Sequence, residues 1–323
     1  MEKRLKRECF TSPPIRVRIE RCAAKEHPLT TEIKLSIIVG VQHAQDNLAD
    51  IERALRPAAH PQVEFLFCHT SADPDVPVLV GNEGQVRILT SREGSLIPHL
   101  WRDGILAARG ERVATTTAHC IPATDWVEAL LAADLGQTDV LGGTIENHPE
   151  ADAKGQAIFL QRYLAFAPPQ TRRGVRDLAA DNALYSRSDI LRHRDLLAHG
   201  FWEPSFHERF RADKLRLAID PDLRVVHQNR YSASQFMRQR LAHGCEFGLT
   251  RASARPFLRR LVLLLVVPAV FPLMLSRILR RALCKPVFRK GLMAGWFWLI
   301  LFLLAWVAGE GWGYLVSLRA RKR

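Results

Sequence analysis

The chain has 323 residues and a formal net charge of +13 at pH 7, with 47% apolar and 24% charged residues. This composition excludes an intrinsically disordered chain and a collagen-like repeat. The six cysteines form no CxxC pair, so a zinc ribbon is excluded, and their scatter indicates reduced thiols in a cytosol-facing protein rather than a disulfide scaffold.

Predicted strands and helices alternate after a polar lead-in. We expect residues 1–33 to be partly disordered and not a signal peptide, because they lack an apolar core. The predicted strands are Leu35–Val41, Val63–Cys68, Gln85–Leu89 and Glu111–Thr117, with further strands near the sheet edge at Asp139–Gly143 and Arg224–His227. The predicted helices are Asn47–Ala58, Leu96–Ala108 and Asp125–Leu135. Alternation of this kind predicts parallel βαβ units with a ligand at the carboxyl ends of the strands.

The last part of the chain contains two uncharged apolar segments. Residues 261–275 include Pro268 and Pro272, and residues 291–309 include three tryptophans. A membrane span needs about 20 residues, with about 17 tolerated. The second segment is therefore predicted to cross the membrane, whereas the first, short and interrupted by proline, fits an interfacial or re-entrant hairpin as well as a span. A buried helix of a soluble protein is the alternative for each.

The basic excess of the chain coincides with these segments. Residues 251–323 contain 14 Lys or Arg and one acidic residue, whereas residues 1–250 contain 32 of each sign. A basic and apolar tail is typical of membrane association. Because the linker between the segments is purely cationic, we expect it on the cytoplasmic side, which favours the re-entrant form of the first segment. Nucleic-acid binding is a minor alternative, since residues 1–250 carry no net charge.

Seven short motifs follow one another along the chain. They are Ser36–Leu48 (SIIVGVQHAQDNL), Val63–Asp73 (VEFLFCHTSAD), Ala107–Trp126 (AARGERVATTTAHCIPATDW), the turn-like Asp181–Arg187 (DNALYSR), Gly200–Glu203 (GFWE) with Asp220–His227 (DPDLRVVH), Gln239–Gly244 (QRLAHG) and Trp306–Tyr314 (WVAGEGWGY). In this order they resemble the motifs of family-two glycosyltransferases with a GT-A fold, of the bacterial membrane-associated type. The resemblance implies an α/β fold with a Rossmann-like mixed sheet, a GT-A domain at residues 34–250 and a membrane-anchoring region at 251–323.

The same resemblance implies transfer of a sugar from a nucleotide-sugar donor to a lipid-linked or cell-envelope glycan acceptor, with inversion. It also implies a place at the inner (cytoplasmic) membrane, with the catalytic domain facing the cytoplasm. The family usually binds a divalent metal with an aspartate pair, whose positions are Thr117 and His119 here. The cofactor therefore stays open, since a departing pyrophosphate needs a metal, cations or backbone dipoles. The alternative is a catalytically degenerate relative that binds an assembly partner or lipid.

The resemblance also implies site residues. Glu203 is the predicted catalytic base, because an inverting transferase needs a carboxylate beside the acceptor hydroxyl, and a surface glutamate at a helix start is the alternative. The predicted substrate-binding residues are His43, His69, Asp73, His119, Asn182, His207, Gln239 and Arg240. His119 also fits a buried histidine, and Asn182 a residue that fixes a turn. A metal site of His43, His69 and His119 is a further alternative, and Arg240 also fits a basic face against lipid headgroups.

Overall fold

The computed structural model describes residues 32–70, 85–136, 138–253 and 255–319. These residues form two units. Residues 32–148 and 166–230 form the sheet unit, and residues 149–165 and 231–319 form the helical unit. The predicted lead-in at residues 1–33 lies almost entirely outside the described residues. The two units are defined by packing, and the chain passes between them after residues 148, 165 and 230. The predicted boundary near residue 250 separates a domain from a membrane-anchoring region, and it stays a prediction.

The sheet unit contains nine strands within the described part of the chain. They are β1 (Leu35–Gly40), β2 (Val63–Thr70), β3 (Val86–Ser91), β4 (Arg112–Thr117), β5 (Cys120–Pro122), β6 (Val140–Asn147), β7 (Arg173–Gly174), β8 (Asn182–Ser186) and β9 (Leu217–His227). Their order is β3-β2-β1-β4-β8-β6-β9-β5, and β7 pairs with β9. Strands β1 to β4 are mutually parallel, while β8 runs antiparallel between β4 and β6. The predicted α/β class with a mixed sheet is therefore confirmed.

The described residues also form ten α-helices. They are α1 (Leu48–Leu55), α2 (Ile97–Ala107), α3 (Trp126–Ala132), α4 (Ala153–Arg162), α5 (Arg187–Arg192), α6 (Arg194–Leu197), α7 (Glu203–Ala212), α8 (Ala233–Ser253), α9 (Phe257–Cys284) and α10 (Arg289–Arg319). Helix α1 forms where Leu48, Ile51 and Leu55 recur at helical spacing, and all three are buried. Helices α4, α8, α9 and α10 belong to the helical unit, and the others to the sheet unit.

Strand β8 corrects one prediction. Asp181–Arg187 was expected to be a turn, yet Asn182–Ser186 forms a strand in the middle of the sheet. Its three central residues are buried between β4 and β6, where both backbone edges of the strand are paired. A run of three apolar residues with polar ends carries too little periodic signal to predict a strand from sequence.

Helices α8 and α10 pack closely through glycines. A Cβ on Gly309 of α10 would collide with the carbonyl oxygen of Leu241, and one on Gly313 would collide with that of Cys245. Gly244 and Gly248 of α8 face α10 in the same way. Small residues at such spacing let two helix backbones approach until their main chains touch.

The two apolar segments of the sequence lie in α9 and α10. Helix α9 continues through Pro268 and Pro272 without reversing direction. By length and composition, Phe257–Cys284 and Pro286–Arg319 are each sufficient to cross a membrane. Helix α9 leaves most of its apolar surface exposed, with Leu258 and Leu265 more than 70% exposed.

Candidate active site at the carboxyl edge of the sheet

The parallel strands of the sheet unit end together at one edge, which we call the carboxyl edge. The register aligns Gly40 at the end of β1 with Thr117 at the end of β4, and Thr70 at the end of β2 with Ser91 at the end of β3. Loops that leave this edge therefore meet above the sheet, where ligands bind in open α/β folds.

His119 joins two of these loops. Its buried imidazole contacts the carbonyl oxygen of Gln42 through Nε2 at 2.9 Å, and its Nδ1 accepts the backbone N–H of Arg230 at 3.3 Å. A carbonyl only accepts and a backbone amide only donates, so the ring is the neutral tautomer with its proton on Nε2. Both ring nitrogens are committed to the fold, which supports the interpretation of His119 as a buried structural histidine.

Asn47, the residue before α1, connects the same loops through hydrogen bonds. Its buried amide donates to the carbonyl oxygens of Ala118 at 2.9 Å and Gln228 at 3.0 Å. Its Oδ1 accepts the Nε–H of Arg230 at 2.6 Å. Arg230 is thus held by its main chain and by the inner nitrogen of its side chain, while the residue itself is exposed. Among the described residues, no carboxylate forms an ion pair with Arg230.

Two carboxylates lie on the side of the edge near β4 and β8. Asp181 is buried just before β8 and accepts a hydrogen bond from the Thr117 hydroxyl at 3.3 Å. Glu203 is the half-buried first residue of α7. Burial raises the pKa of the Tyr185 phenol, and the charges of Glu203 and Asp181 raise it further.

The loop before Glu203 is fixed on α2. The backbone N–H of Phe201 donates to the carbonyl oxygen of Pro98 at 2.8 Å, in the first turn of α2. Gly200 adopts φ +109°, and a Cβ there would meet His99 at 3.0 Å. Only glycine adopts this backbone conformation readily. Since α2 begins directly beyond the carboxyl edge, the fixed loop sets Glu203 near that edge.

His207 lies one turn after Glu203 and is buried in the core. Its Nε2 lies 3.2 Å from the Tyr185 hydroxyl, and its Nδ1 faces the backbone N–H of Leu178 at 3.4 Å. Burial lowers the pKa of this imidazole, and the nearby Asp177 offsets part of that effect. The geometry makes His207 a support for Tyr185, and its predicted contact with substrate stays a prediction.

Asn182 uses its amide within the sheet. Its Oδ1 accepts the indole N–H of Trp126 at 2.8 Å, and its Nδ2 donates to the carbonyl oxygens of Thr144 and Leu223, each at 3.0 Å. These bonds lie where the β6–β9 register shifts between Gly143 and Thr144. The arrangement supports the alternative in which Asn182 fixes the local backbone.

His43 and His69, the other two histidines near the carboxyl edge, form no metal-binding group among the described residues. His69 is the next-to-last residue of β2, and its Nε2 lies 3.1 Å from the Thr90 hydroxyl, while His43 lies in the loop after β1 with φ +53°. Within the described ranges, no group of three His, Cys, Asp or Glu side chains could hold a metal ion. Asp73 lies outside the described residues.

Gln239 and Arg240 belong to α8 of the helical unit, and both are buried. Gln239 donates to the Tyr231 hydroxyl at 2.6 Å, and Arg240 donates to Gln239 at 3.0 Å. The guanidinium of Arg240 also stacks on Phe236 at 4.8 Å and on Trp306 at 5.5 Å. This cation is enclosed within its own unit rather than part of an exposed basic face.

Three residues of the edge were missed from the sequence. Arg230 and Asp181 are single charged residues beside strand ends, and Asn47 closes the opening motif. The available signal was position, since each lies within three residues of the end or start of a regular element. Single charged or amide residues are common at such positions, so the sequence alone did not distinguish these three residues from ordinary loop residues.

Comparisons with solved structures gave matches of low similarity, among them two structures of S. aureus TarS. No family model and no curated protein matches the chain. The structure of S. aureus TarS residues 1–349 matches with a TM-score of 0.43 and 13% identity, over 66% of this chain and 65% of that one. The same fragment in complex with UDP-GlcNAc matches with a TM-score of 0.43 and 12% identity, over 66% of each chain. The chain thus spans just under two thirds of these structures.

Proposed function

We propose that the sheet unit is an inverting glycosyltransferase that uses a nucleotide-sugar donor. The observation that carries the proposal is Glu203, a carboxylate fixed near the carboxyl edge by a loop bonded to the first turn of α2. Asp181, buried just before β8, accepts a hydrogen bond from the Thr117 hydroxyl at the end of β4. The order of the sequence motifs supports the same reaction.

The chemistry assigned to Glu203 is general base catalysis. The acceptor hydroxyl oxygen attacks the anomeric carbon of the sugar, and its proton passes to the Glu203 carboxylate. The bond between that carbon and the diphosphate oxygen breaks, so the nucleoside diphosphate leaves with the bonding electron pair. Attack from the face opposite the leaving group inverts the configuration at the anomeric carbon.

We further propose that the acceptor is a lipid-linked or cell-envelope glycan at the cytoplasmic face of the inner membrane. Support comes from the long apolar helices α9 and α10 and from the arginines that flank the exposed apolar surface of α9. Anionic lipids attract such clusters of cations next to apolar segments. Sedimentation of the chain with membranes after a carbonate wash is the expected result, and release into the supernatant would contradict it.

The test of the transfer reaction compares two glutamates of α7. Membranes that contain the wild-type chain, Glu203→Gln or Glu208→Gln receive radiolabelled UDP-, GDP- and dTDP-sugars, and labelled lipid products are counted. Glu208 is exposed on the same helix and serves as the matched control. We expect Glu203→Gln to lose about 100-fold or more of the transfer rate. Equal transfer by Glu203→Gln and wild type would exclude the base assignment.

A catalytically degenerate binding protein is the second candidate function. It is favoured by Thr117 and His119, which stand at the positions of the metal-binding pair and are both bonded into the fold. Calorimetry with the same donor sugars separates the two candidates. Donor binding supports the transferase, and failure of every donor to bind supports the degenerate relative.

A further inference from the structure

Any donor bound at this edge requires the negative charge of its diphosphate to be balanced. The family does so with a divalent metal, but the residues present here do not fit one. His119 has one ring nitrogen accepting a backbone N–H and the other facing a carbonyl, and Thr117 is a neutral hydroxyl that donates to Asp181. In the described part of the chain, Asp181 belongs to no group of three His, Cys, Asp or Glu side chains that could hold a metal ion, whereas magnesium and calcium sites draw on several oxygen ligands.

We infer that Arg230 binds the diphosphate of the donor and serves as the positive charge of the site in place of a metal ion. This inference rests on the proposed function and names the group that recognises the leaving pyrophosphate. Guanidinium groups suit this task because their N–H donors form a planar fork that matches two phosphate oxygens.

The first support is the fixed position of Arg230. Its backbone N–H is bonded to the buried His119 and its Nε–H to the buried Asn47. Asn47 is itself held by the carbonyl oxygens of Ala118 and Gln228. A cation held in place before the ligand arrives loses little conformational freedom on binding, and it stabilises developing charge without rearranging.

The second support is location. Arg230 lies three residues beyond the end of β9, and its backbone is bonded to His119, which stands at a metal-pair position. The guanidinium therefore extends from the loops next to the end of β4. Its two outer nitrogens, Nη1 and Nη2, remain available, because among the described residues its side chain bonds only through Nε.

The third support is the charge balance around Arg230. The exposed arginines of α5 and α7 are paired, for example Arg192 with Asp189 and Arg209 with Asp195. Arg230 forms no such pair with any carboxylate in the described part of the chain. Two buried neutral side chains hold it without cancelling its charge, which leaves the full cation for an anionic ligand.

The experiment compares nucleoside diphosphates with monophosphates. The full chain in lipid nanodiscs is titrated by calorimetry with UDP, GDP, ADP and dTDP and with the corresponding monophosphates, once in EDTA and once in Mn²⁺. For the nucleotide that binds wild type, Arg230→Gln is expected to weaken diphosphate binding by about tenfold or more, because two charge-assisted hydrogen bonds are lost. Monophosphate binding should change by less than about threefold, and Arg230→Lys should weaken diphosphate binding by an intermediate factor.

A matched control and an unfolding measurement separate binding from stability. Arg192→Gln removes an exposed arginine whose partner is Asp189, and it should leave the diphosphate-to-monophosphate ratio unchanged. The thermal midpoint of Arg230→Lys shows whether loss of binding follows from unfolding. Wild-type diphosphate binding that disappears in EDTA, or an unchanged ratio in Arg230→Gln, would overturn the inference while leaving donor binding intact. Absence of binding by every nucleotide in both EDTA and Mn²⁺ would overturn the proposed function as well.

Discussion

Two arginines, one in each unit, differ in exposure and in the groups that hold them. In the sheet unit, Arg230 is held by neutral polar side chains at the carboxyl edge and keeps its outer nitrogens in reach of solvent. In the helical unit, Arg240 is only 6% exposed and stacks on two aromatic rings. The motif around Arg240 made it the candidate from sequence, yet Arg230 has the environment of a ligand-binding cation. Burial and anchoring separate a binding cation from a packing cation.

The largest change in the free energy of unfolding is expected from Asn47→Ala, which removes the side chain that holds Arg230. The change leaves the carbonyl oxygens of Ala118 and Gln228 and the Nε–H of Arg230 without their partner. Each lost partner of a buried polar group costs about 1–3 kcal/mol, so we expect the free energy of unfolding to fall by about 3 kcal/mol or more. Urea unfolding of the full chain measures it, and a change below about 1 kcal/mol would show that Asn47 does not organise the edge.

His99 of the sheet unit should give the stability of the chain a pH dependence. Burial, together with the charge of the nearby Arg102, lowers the pKa of His99 from 6.5 to about 4. The unfolded chain binds the proton first as pH falls, so this contribution to stability is complete above pH 6.5 and is lost between pH 6.5 and about 4. The loss amounts to at most about 3 kcal/mol.

The variant His99→Asn tests that assignment. Its side-chain oxygen can still accept the backbone N–H of Leu96, which His99 Nδ1 accepts at 3.0 Å. The thermal midpoint of the variant should therefore fall less steeply than that of wild type over the same pH range. Identical slopes for the two proteins would assign the acid sensitivity to other groups.

Gly309→Val probes the packing of the helical unit. The new side chain would collide with the carbonyl oxygen of Leu241, and the backbones of α8 and α10 would have to separate. Overpacking of this kind costs about 1–3 kcal/mol, so the thermal midpoint should fall. Gly311→Val is the matched control, because a Cβ at Gly311 meets only Val267 at 3.4 Å. Equal midpoints for the two variants would contradict the close helix contact.

The smallest effect is expected from Arg240→Met. The variant keeps much of the apolar stem but loses two cation–π contacts and the bond to Gln239. We expect a loss of about 1–2 kcal/mol in unfolding free energy. The ratio of diphosphate to monophosphate affinity should stay as in wild type. A collapse of that ratio in Arg240→Met would reverse the roles assigned to the two arginines.

The sequence predicted the strands that are buried at every residue and mostly apolar. Leu35–Val41 and Val63–Cys68 stand out as short apolar runs, although β1 includes Ser36 and β2 includes Glu64. Strand β8 was not predicted, because its pairing partners β4 and β6 lie far away in sequence. A strand of five residues is stabilised by these neighbours, and its own residues give little local signal.

The candidate site was predicted less completely than the fold. Glu203 was predicted from its motif, and His43, His69 and His119 were predicted from their positions at strand ends; these roles stay predictions. Their partners could not be predicted, because a hydrogen bond such as that between Asn47 and Arg230 joins residues 183 positions apart. Such contacts depend on how loops from different strands meet, and the local sequence does not encode this.

The most direct test of the account is sugar transfer in the absence of divalent metal. Wild-type chain in native membranes is supplied with the donor that binds it, in EDTA or in Mn²⁺, and lipid products are identified by mass spectrometry. We expect a glycosylated product whose rate of formation in EDTA is within about threefold of that in Mn²⁺, because the fixed guanidinium of Arg230 supplies the charge. Product formation only in Mn²⁺, or no product under either condition, would contradict it.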